Sequence, residues 1–285
     1  MIEIGRVNKL KVLKHVDFGV YLDGHEDGEI LLPLRYMPND CDVGDEFEVF
    51  VFFDSEDRLV ATTDVPKAMV GDFALLKVVA VERVGAFLDW GLPKDLFLPF
   101  AEQTQTPRIG QEVLVYIYLD NTDRIAASMR LDRYLEKDAE DLEEGQAVDL
   151  IISGRTDLGF KAIINNRYSG LLYQNEIFKP LKYGQRLSGY VKLIRADGKI
   201  DLALNDPKKI GHKAAADIGP LIMQELEKNS GFLPITEKTA PEVIYKLFGV
   251  SKKKYKIALG GLYKKRLITI EEEGIRVVKP SVRTR

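Results

Sequence analysis

Three glycine positions recur along this chain at a single pair of offsets. Gly5, Gly71 and Gly145 open the stretches "GRVNKLKVL", "GDFALLKVV" and "GQAVDLIIS", at steps of 66 and 74 residues. Gly19, Gly85 and Gly159 repeat those two steps inside "FGVYLD", "VGAFLD" and "LGFKAI", and Gly44, Gly110 and Gly184 do so once more. Each copy closes on a short alternating run: "RLVATT", "RIAASM", "KIDLAL". Spacing of this kind restricts the chain to tandem copies of one small unit. Each copy holds roughly five runs of β-branched, aromatic and alternating residues bounded by Gly, Asn and Asp, the pattern of a small all-β barrel or sandwich. A unit this small gains most by closing its sheet, which removes the exposed edges. Glycines at the strand starts mark tight bends at barrel corners, and Gly19 itself is expected to mark a bulge that turns Phe18 and Tyr21 to one face. The expectation is three tandem five-stranded OB-type barrels in a mainly β, multidomain chain.

The pattern changes after Asp206. Ile218, Leu221, Ile222 and Leu226 fall at helical spacing, and Gly231 and Pro234 punctuate the end of that helix. "TAPEVIYKLFG" reads as a second helix with Thr239 as N-cap, Pro241 in the first turn and Gly249 past the end. Ser251 caps a third, which carries Tyr255, Leu259 and Leu262 along one side. "LITIEEEGIRVV" then reads as two short strands around an acidic turn. Helix, helix, turn, helix and hairpin is the order of a winged-helix domain. The expected domains are residues 1–65, 66–142 and 143–206 for the barrels and 207–285 for the winged helix.

Net charge is −3 over 285 residues, but it is unevenly spread. Residues 1–144 carry 15 Lys and Arg against 30 Asp and Glu, a net of −15; residues 145–205 are +4 and residues 206–285 are +8. An acidic front and a basic back direct a polyanionic partner to the C-terminal half. Cys41 is the lone cysteine, so no internal disulfide or cysteine metal cluster is expected. No long apolar run reads as a membrane span, and the start "MIEIGRVNKL" lacks a secretory layout, which together predict a cytoplasmic protein without membrane contact. His15, His25 and His212 are scattered, and no phosphate loop, zinc motif or nucleophile elbow is present. The expectation is a protein that is not an enzyme and has no cofactor.

The order of glycine-led strand, "FGVYLD" or "VGAFLD", apolar strand, "GDEFEVFVF" and "DRLVAT" resembles the S1 RNA-binding domain, over about residues 1–64, 66–131 and 143–205. Three such units before a winged helix resemble one bacterial family, the conserved virulence factor B family. That resemblance implies an RNA-binding regulator of gene expression, tied to virulence traits in some members.

The S1 pattern also implies where RNA would sit. In the first copy Phe18 and Tyr21 take the aromatic positions, Asp54 and Arg58 the polar pair, and Pro33 stands where a histidine is usual. The second copy has Val84 and Phe87, Pro99 at the histidine position, and Asp120 with Arg124; half its ring platform is missing, and Trp90 reads as packing. In the third, Leu158 and Lys161 replace both rings, Tyr173 fills the histidine position, and Arg195 with Lys199 replace the acid–base pair. Phe160 reads as core there, so Tyr173 is the stacking candidate, with Arg155, Arg167, Lys179, Lys182 and Lys192 adding charge. In the tail, Lys252, Lys253, Lys254 and Lys256 crowd the start of the third helix, and Lys264, Lys265 and Arg266 close it. Stacking rings among cations are what single-strand binding requires. Residues 145–285 are therefore expected to carry single-stranded RNA binding. Duplex DNA bound by the winged helix, or protein partners from the ribosome or polymerase, are the alternatives.

Overall fold

The computed structural model describes residues 1–54, 56–177, 180–206 and 218–278. The chain divides into two units, residues 1–137 with 166–168, and residues 138–165 with 169–285. In the first, β1 (Val7–Val16), β2 (Gly19–Asp23), β3 (Glu29–Pro33), β4 (Glu46–Phe53) and β5 (Leu59–Thr62) close into a barrel in the order β1-β2-β3-β5-β4. A second barrel repeats that order with β6 (Phe73–Val81), β7 (Gly85–Asp89), β8 (Leu96–Pro99), β9 (Glu112–Leu119) and β10 (Ile125–Ser128). The third repeats it again with β11 (Ala147–Thr156), β12 (Gly159–Ile164), β13 (Tyr168–Tyr173), β14 (Arg186–Ile194) and β15 (Ile200–Ala203). In each, the third and fifth strands run parallel and close the cylinder. The cores follow the period of two: Val20 and Leu22, then Ile30 and Leu32, are fully buried, while Tyr21 and Leu31 between them face outward.

The glycine inside each second strand has a steric cause. A Cβ on Gly19, Gly85 or Gly159 would stand 2.2, 2.4 or 2.0 Å from the carbonyl oxygen of Leu32, Leu98 or Leu172. The third strand passes so close that only hydrogen fits. The bulge expected at Gly19 lies instead on the facing strand: the ladder skips a residue between Val12 and Lys14, and likewise between Val78 and Ala80 and between Ile152 and Gly154. β2 runs regularly from Gly19, and Phe18 stands in the turn ahead of it, free of the strand's alternation.

Barrels one and two pack directly on each other. Phe50 meets Trp90 edge-on at 5.7 Å between ring centres, and the Val70 N–H donates to the Gly5 carbonyl at 3.0 Å. Trp90 is 4% exposed and packs as expected. Arg124 of the second barrel reaches Asp57 of the first through a two-nitrogen pair, closest at 2.6 Å.

The tail forms α1 (Gly219–Lys228), β16 (Phe232–Leu233), α2 (Pro241–Phe248), α3 (Lys252–Lys264), β17 (Ile268–Ile270) and β18 (Ile275–Val277). Its sheet runs β16-β18-β17. β16 was not expected, because two residues show no period. Ile218, Ile222 and Leu226 enter the core with Tyr255, Leu259 and Leu262, but Leu221 is exposed, one step off the buried stripe. Ser251 caps α3, accepting from the Lys254 N–H at 3.4 Å, and Gly249 ends α2 at φ 68°. Thr239 is not the cap of α2: Ala240 holds that place, and the Thr239 hydroxyl accepts from the Thr236 N–H. Among the described residues no helix is long and apolar enough to cross a membrane, and no group of three or more His, Cys, Asp or Glu is placed to hold a metal ion. His212 and Lys179 lie outside the described residues.

Candidate nucleic-acid interface

Every barrel exposes an apolar spot at one recurring place, where the turn before the second strand meets the end of the third. The Leu34 N–H donates to the Phe18 carbonyl, that of Phe100 to Val84, and that of Gln174 to Leu158. Phe18 and Leu34 are both exposed, as are Val84 and Phe100, and Leu158. In barrel one, Phe18 and Tyr21 meet edge to face at 6.4 Å. Lys14 lies 4.9 Å from the centre of the Tyr21 ring and pairs with Glu29 at 2.6 Å. Arg58 is held between Asp54 (2.8 Å) and Glu56 (2.9 Å). Burial of the Asp54 carboxyl works to raise its pKa, but hydrogen bonds from the backbone and side chain of Arg58 outweigh it, and the net shift is downward.

The second barrel is better supplied with rings than its sequence suggests. Phe87 and Phe97 stack obliquely at 5.4 Å on the outer face, and Phe100 stands 68% exposed just past the end of β8. The ring absent at Val84 is thus restored across the same hydrogen bond, at Phe100. Phe97 was legible from "LFLP", where it alternates with buried Leu96 and Leu98; Phe100 lies past the strand end, where alternation gives no guide.

In the third barrel Tyr173 is half-buried in a polar network. Its hydroxyl donates to Asp201 at 3.4 Å and accepts from Arg195, and Arg195 pairs with Asp201 at 3.0 Å. Lys192 and Arg195 both lie about 6 Å from the Tyr173 ring centre. Donating to the Asp201 carboxylate raises the Arg195 pKa above its ordinary value. Asp201 was missed by the sequence reading. It is 7% exposed, and Val60 and Ala126 hold its place beside the third strand in the other barrels. Lys199 pairs with Asp197 at 2.7 Å, and Arg167 forms a two-point pair with Glu136 at 2.9 Å. Lys161 is half-buried on β12, opposite Gly154. Phe160 is not core. It is half-buried, with the Arg155 guanidinium 5.8 Å from its ring centre, whereas Val20 and Ala86 at the same register are fully buried.

In the winged helix, Lys252, Lys253 and Lys254 start α3, and among the described residues no carboxylate pairs with them. Lys256 lies 3.6 Å from Glu237. The outer face of α3 continues through Ile257 (68% exposed) to Tyr263 (55%) and Lys264, with Lys265 just past its end. The turn between β17 and β18 carries Glu271, Glu272 and Glu273, and Arg276 is tied to Glu271 at 2.7 Å.

The S1 domain model matches residues 4–64 and 70–130, and the CvfB-like winged helix domain model matches residues 221–277. Conserved virulence factor B of Staphylococcus epidermidis is 24% identical over 97% of this chain and 95% of its own length. YitL of Bacillus subtilis is 29% identical over 91% of this chain and 89% of its own. A solved multidomain protein with nucleic acid binding domains from Streptococcus pneumoniae is 22% identical and covers 96% of this chain and 98% of that one, at a TM-score of 0.40. Two matched S1 domains, a CvfB-like winged helix in its expected place and relatives aligned along nearly their whole length lead to one statement: the chain has the domains and the full-length similarity of conserved virulence factor B proteins.

Proposed function

We propose that this chain is a non-catalytic, cytoplasmic protein that binds single-stranded RNA through the third barrel and the winged helix, and regulates gene expression after transcription. The observation that carries the reading is the set of unpaired lysines at the start of α3. The barrel cations Arg58, Arg124, Arg167, Arg195 and Lys199 each have a carboxylate partner, and among the described residues Lys252, Lys253 and Lys254 have none. Three cations at a helix N-terminus oppose the helix dipole, so helix stability does not explain them. A phosphate backbone does. The S1 barrels add outward rings, which suit unstacked bases.

Duplex DNA is the weaker fit. A winged helix that inserts its wing beside a duplex brings the wing turn against phosphates, and here that turn is Glu271, Glu272 and Glu273. The carboxylates repel such an approach. The first barrel, with 6 Lys and Arg against 15 Asp and Glu in residues 1–65, suits a basic protein partner such as a ribosome or polymerase component better than RNA. A partner held there survives nuclease treatment during co-purification.

The test is competition on the full chain between single-stranded RNA and duplex DNA of the same sequence. RNA is expected to win, and the Lys252→Ala, Lys253→Ala, Lys254→Ala triple variant to weaken RNA of every sequence alike. The slope of log affinity against log salt should fall by about 2, near 0.7 per lost phosphate contact. Duplex DNA displacing RNA would transfer the assignment to a DNA-binding regulator.

A further inference from the structure

The third barrel departs from its copies at Phe160. Beside Phe160, within the second unit, lies a cavity of about 670 Å³ lined by Arg155, Phe160, Gln174, Tyr183 and Glu242, with Ile177 among its apolar walls. Phe160 occupies a register that is fully buried in barrels one and two, yet it stands half-buried with its ring lining this cavity. Glu242 comes from the first turn of α2, so barrel and winged helix both contribute walls. The volume is within the usual range of small-ligand pockets, and the layout of apolar walls with a few convergent polar groups is theirs as well.

We infer that this cavity takes a single unstacked guanine base of the bound RNA; the inference rests on the RNA-binding reading above and names what that surface selects. The walls Phe160 and Tyr183 offer ring faces for stacking. The polar groups are of opposite kinds. Glu242 only accepts hydrogen bonds, Arg155 only donates, and Gln174 does both. Among the described residues no carboxylate pairs with Arg155 and no cation pairs with Glu242. Guanine matches that division: its N1–H and N2 amino group present two adjacent donors to one carboxylate, and its O6 and N7 accept from a guanidinium. Adenine and cytosine offer the carboxylate one amino group. Uracil offers one N–H flanked by two carbonyl oxygens that face the carboxylate unfavourably. A phosphate is repelled by Glu242, so the cavity reads a base and leaves the backbone to the lysines of α3.

The experiment is fluorescence anisotropy of the full chain on a 12-nucleotide single-stranded RNA, all uridine except for one central position. That position carries guanine, inosine, adenine, cytosine or uracil. The guanine oligonucleotide is expected to bind about tenfold tighter than the all-uridine one, the worth of one good two-point base contact. Inosine, which lacks the 2-amino group, falls between. Glu242→Ala erases the preference; the residue is exposed, and circular dichroism checks that the variant folds. The triple lysine variant weakens all five oligonucleotides but keeps the tenfold ratio. Equal affinity for guanine and uracil in the unaltered chain, or a preference that survives Glu242→Ala, overturns the base pocket while RNA binding stands. Absence of binding to every oligonucleotide overturns both readings.

Discussion

Gly260 and Gly261 sit side by side in the interior of α3, and a Cβ added at either would meet nothing within 4 Å. A helix-interior glycine is less favourable than alanine by about 1 kcal/mol. Nothing in the packing of the described residues calls for the pair, so two alanines should stabilise the winged helix by about 2 kcal/mol. The glycines lie on the helix behind Ile257 and between Lys256 and Lys264, on the face assigned to RNA. If the RNA backbone approaches there to the depth of the Cα atoms, two methyl groups hold it off. Loss of one charge-assisted contact of roughly 1.5–3 kcal/mol lowers affinity about tenfold or more. The Gly260→Ala, Gly261→Ala variant should therefore unfold at higher urea yet bind single-stranded RNA more weakly. Urea denaturation followed by ellipticity and anisotropy titration read the two effects separately. Unchanged affinity in a stabilised protein refutes close approach at this face. Lower stability refutes the assumption of open space.

Other perturbations give equally direct readouts. Gly159→Ala brings a methyl 2.0 Å from the Leu172 carbonyl and should destabilise the third barrel by about 3 kcal/mol or more, seen as a lowered urea midpoint. Tyr255→Phe removes a buried hydroxyl with no partner among the described residues and should leave stability unchanged or raise it by about 1 kcal/mol in the same assay. Burial pushes the Tyr255 phenol up to about 12, which favours the neutral form in the fold; the associated stability is complete below pH 10 and is lost as pH rises through 12. Urea midpoints at pH 8 and pH 11 should therefore diverge less in Tyr255→Phe than in the unaltered chain. Arg124→Ala cuts the tie to Asp57 between barrels one and two. Exposed as that pair is, small-angle scattering should report a change in barrel geometry while the melting curve barely moves.

The repeat made the fold readable, because the recurring glycines answer backbone demands that every copy must meet: Gly5, Gly71, Gly145, Gly44, Gly110 and Gly184 hold φ between 74° and 102°, and the remaining set meets a close carbonyl. Gly19, Gly85 and Gly159 meet the same carbonyl in three barrels, and a steric demand of that kind leaves one residue at one offset. The winged helix was readable for a different reason: its buried stripe, Ile222, Leu226, Tyr255, Leu259 and Leu262, has helical period. Where period fails, the reading failed with it. β16 is too short to show any, and Leu221 differs from buried Ile222 only by the turn of the helix. Thr239 has the chemistry of a cap but is engaged by the Thr236 N–H, a turn within the preceding loop that competes for the same hydroxyl.

The candidate site was harder to read because its charges are decided in pairs. By sequence, Arg195 and Lys199 replace an acid–base pair with two cations, and the third barrel looks the most basic. In space Asp201 neutralises Arg195 and orients Tyr173, and Asp197 takes Lys199. Asp201 lies in "KIDLAL", where the other copies are apolar, and a charged residue in the alternating strand of a repeat is the one signal that marked it. The exposed Lys199 pair is of the kind worth at most about 1 kcal/mol, and a phosphate can displace it. Arg195 is different: it is held from two sides, by a buried carboxylate and a tyrosine hydroxyl, so on the proposed RNA surface it would fix the Tyr173 ring more than supply charge. Asp201→Asn should then alter base stacking at Tyr173 and leave the salt dependence of binding in place, whereas Lys252→Ala with its neighbours should do the reverse. Should Asp201→Asn instead steepen the salt slope, by releasing Arg195 to phosphate, the division between a ring-positioning barrel and a charge-supplying helix would not hold.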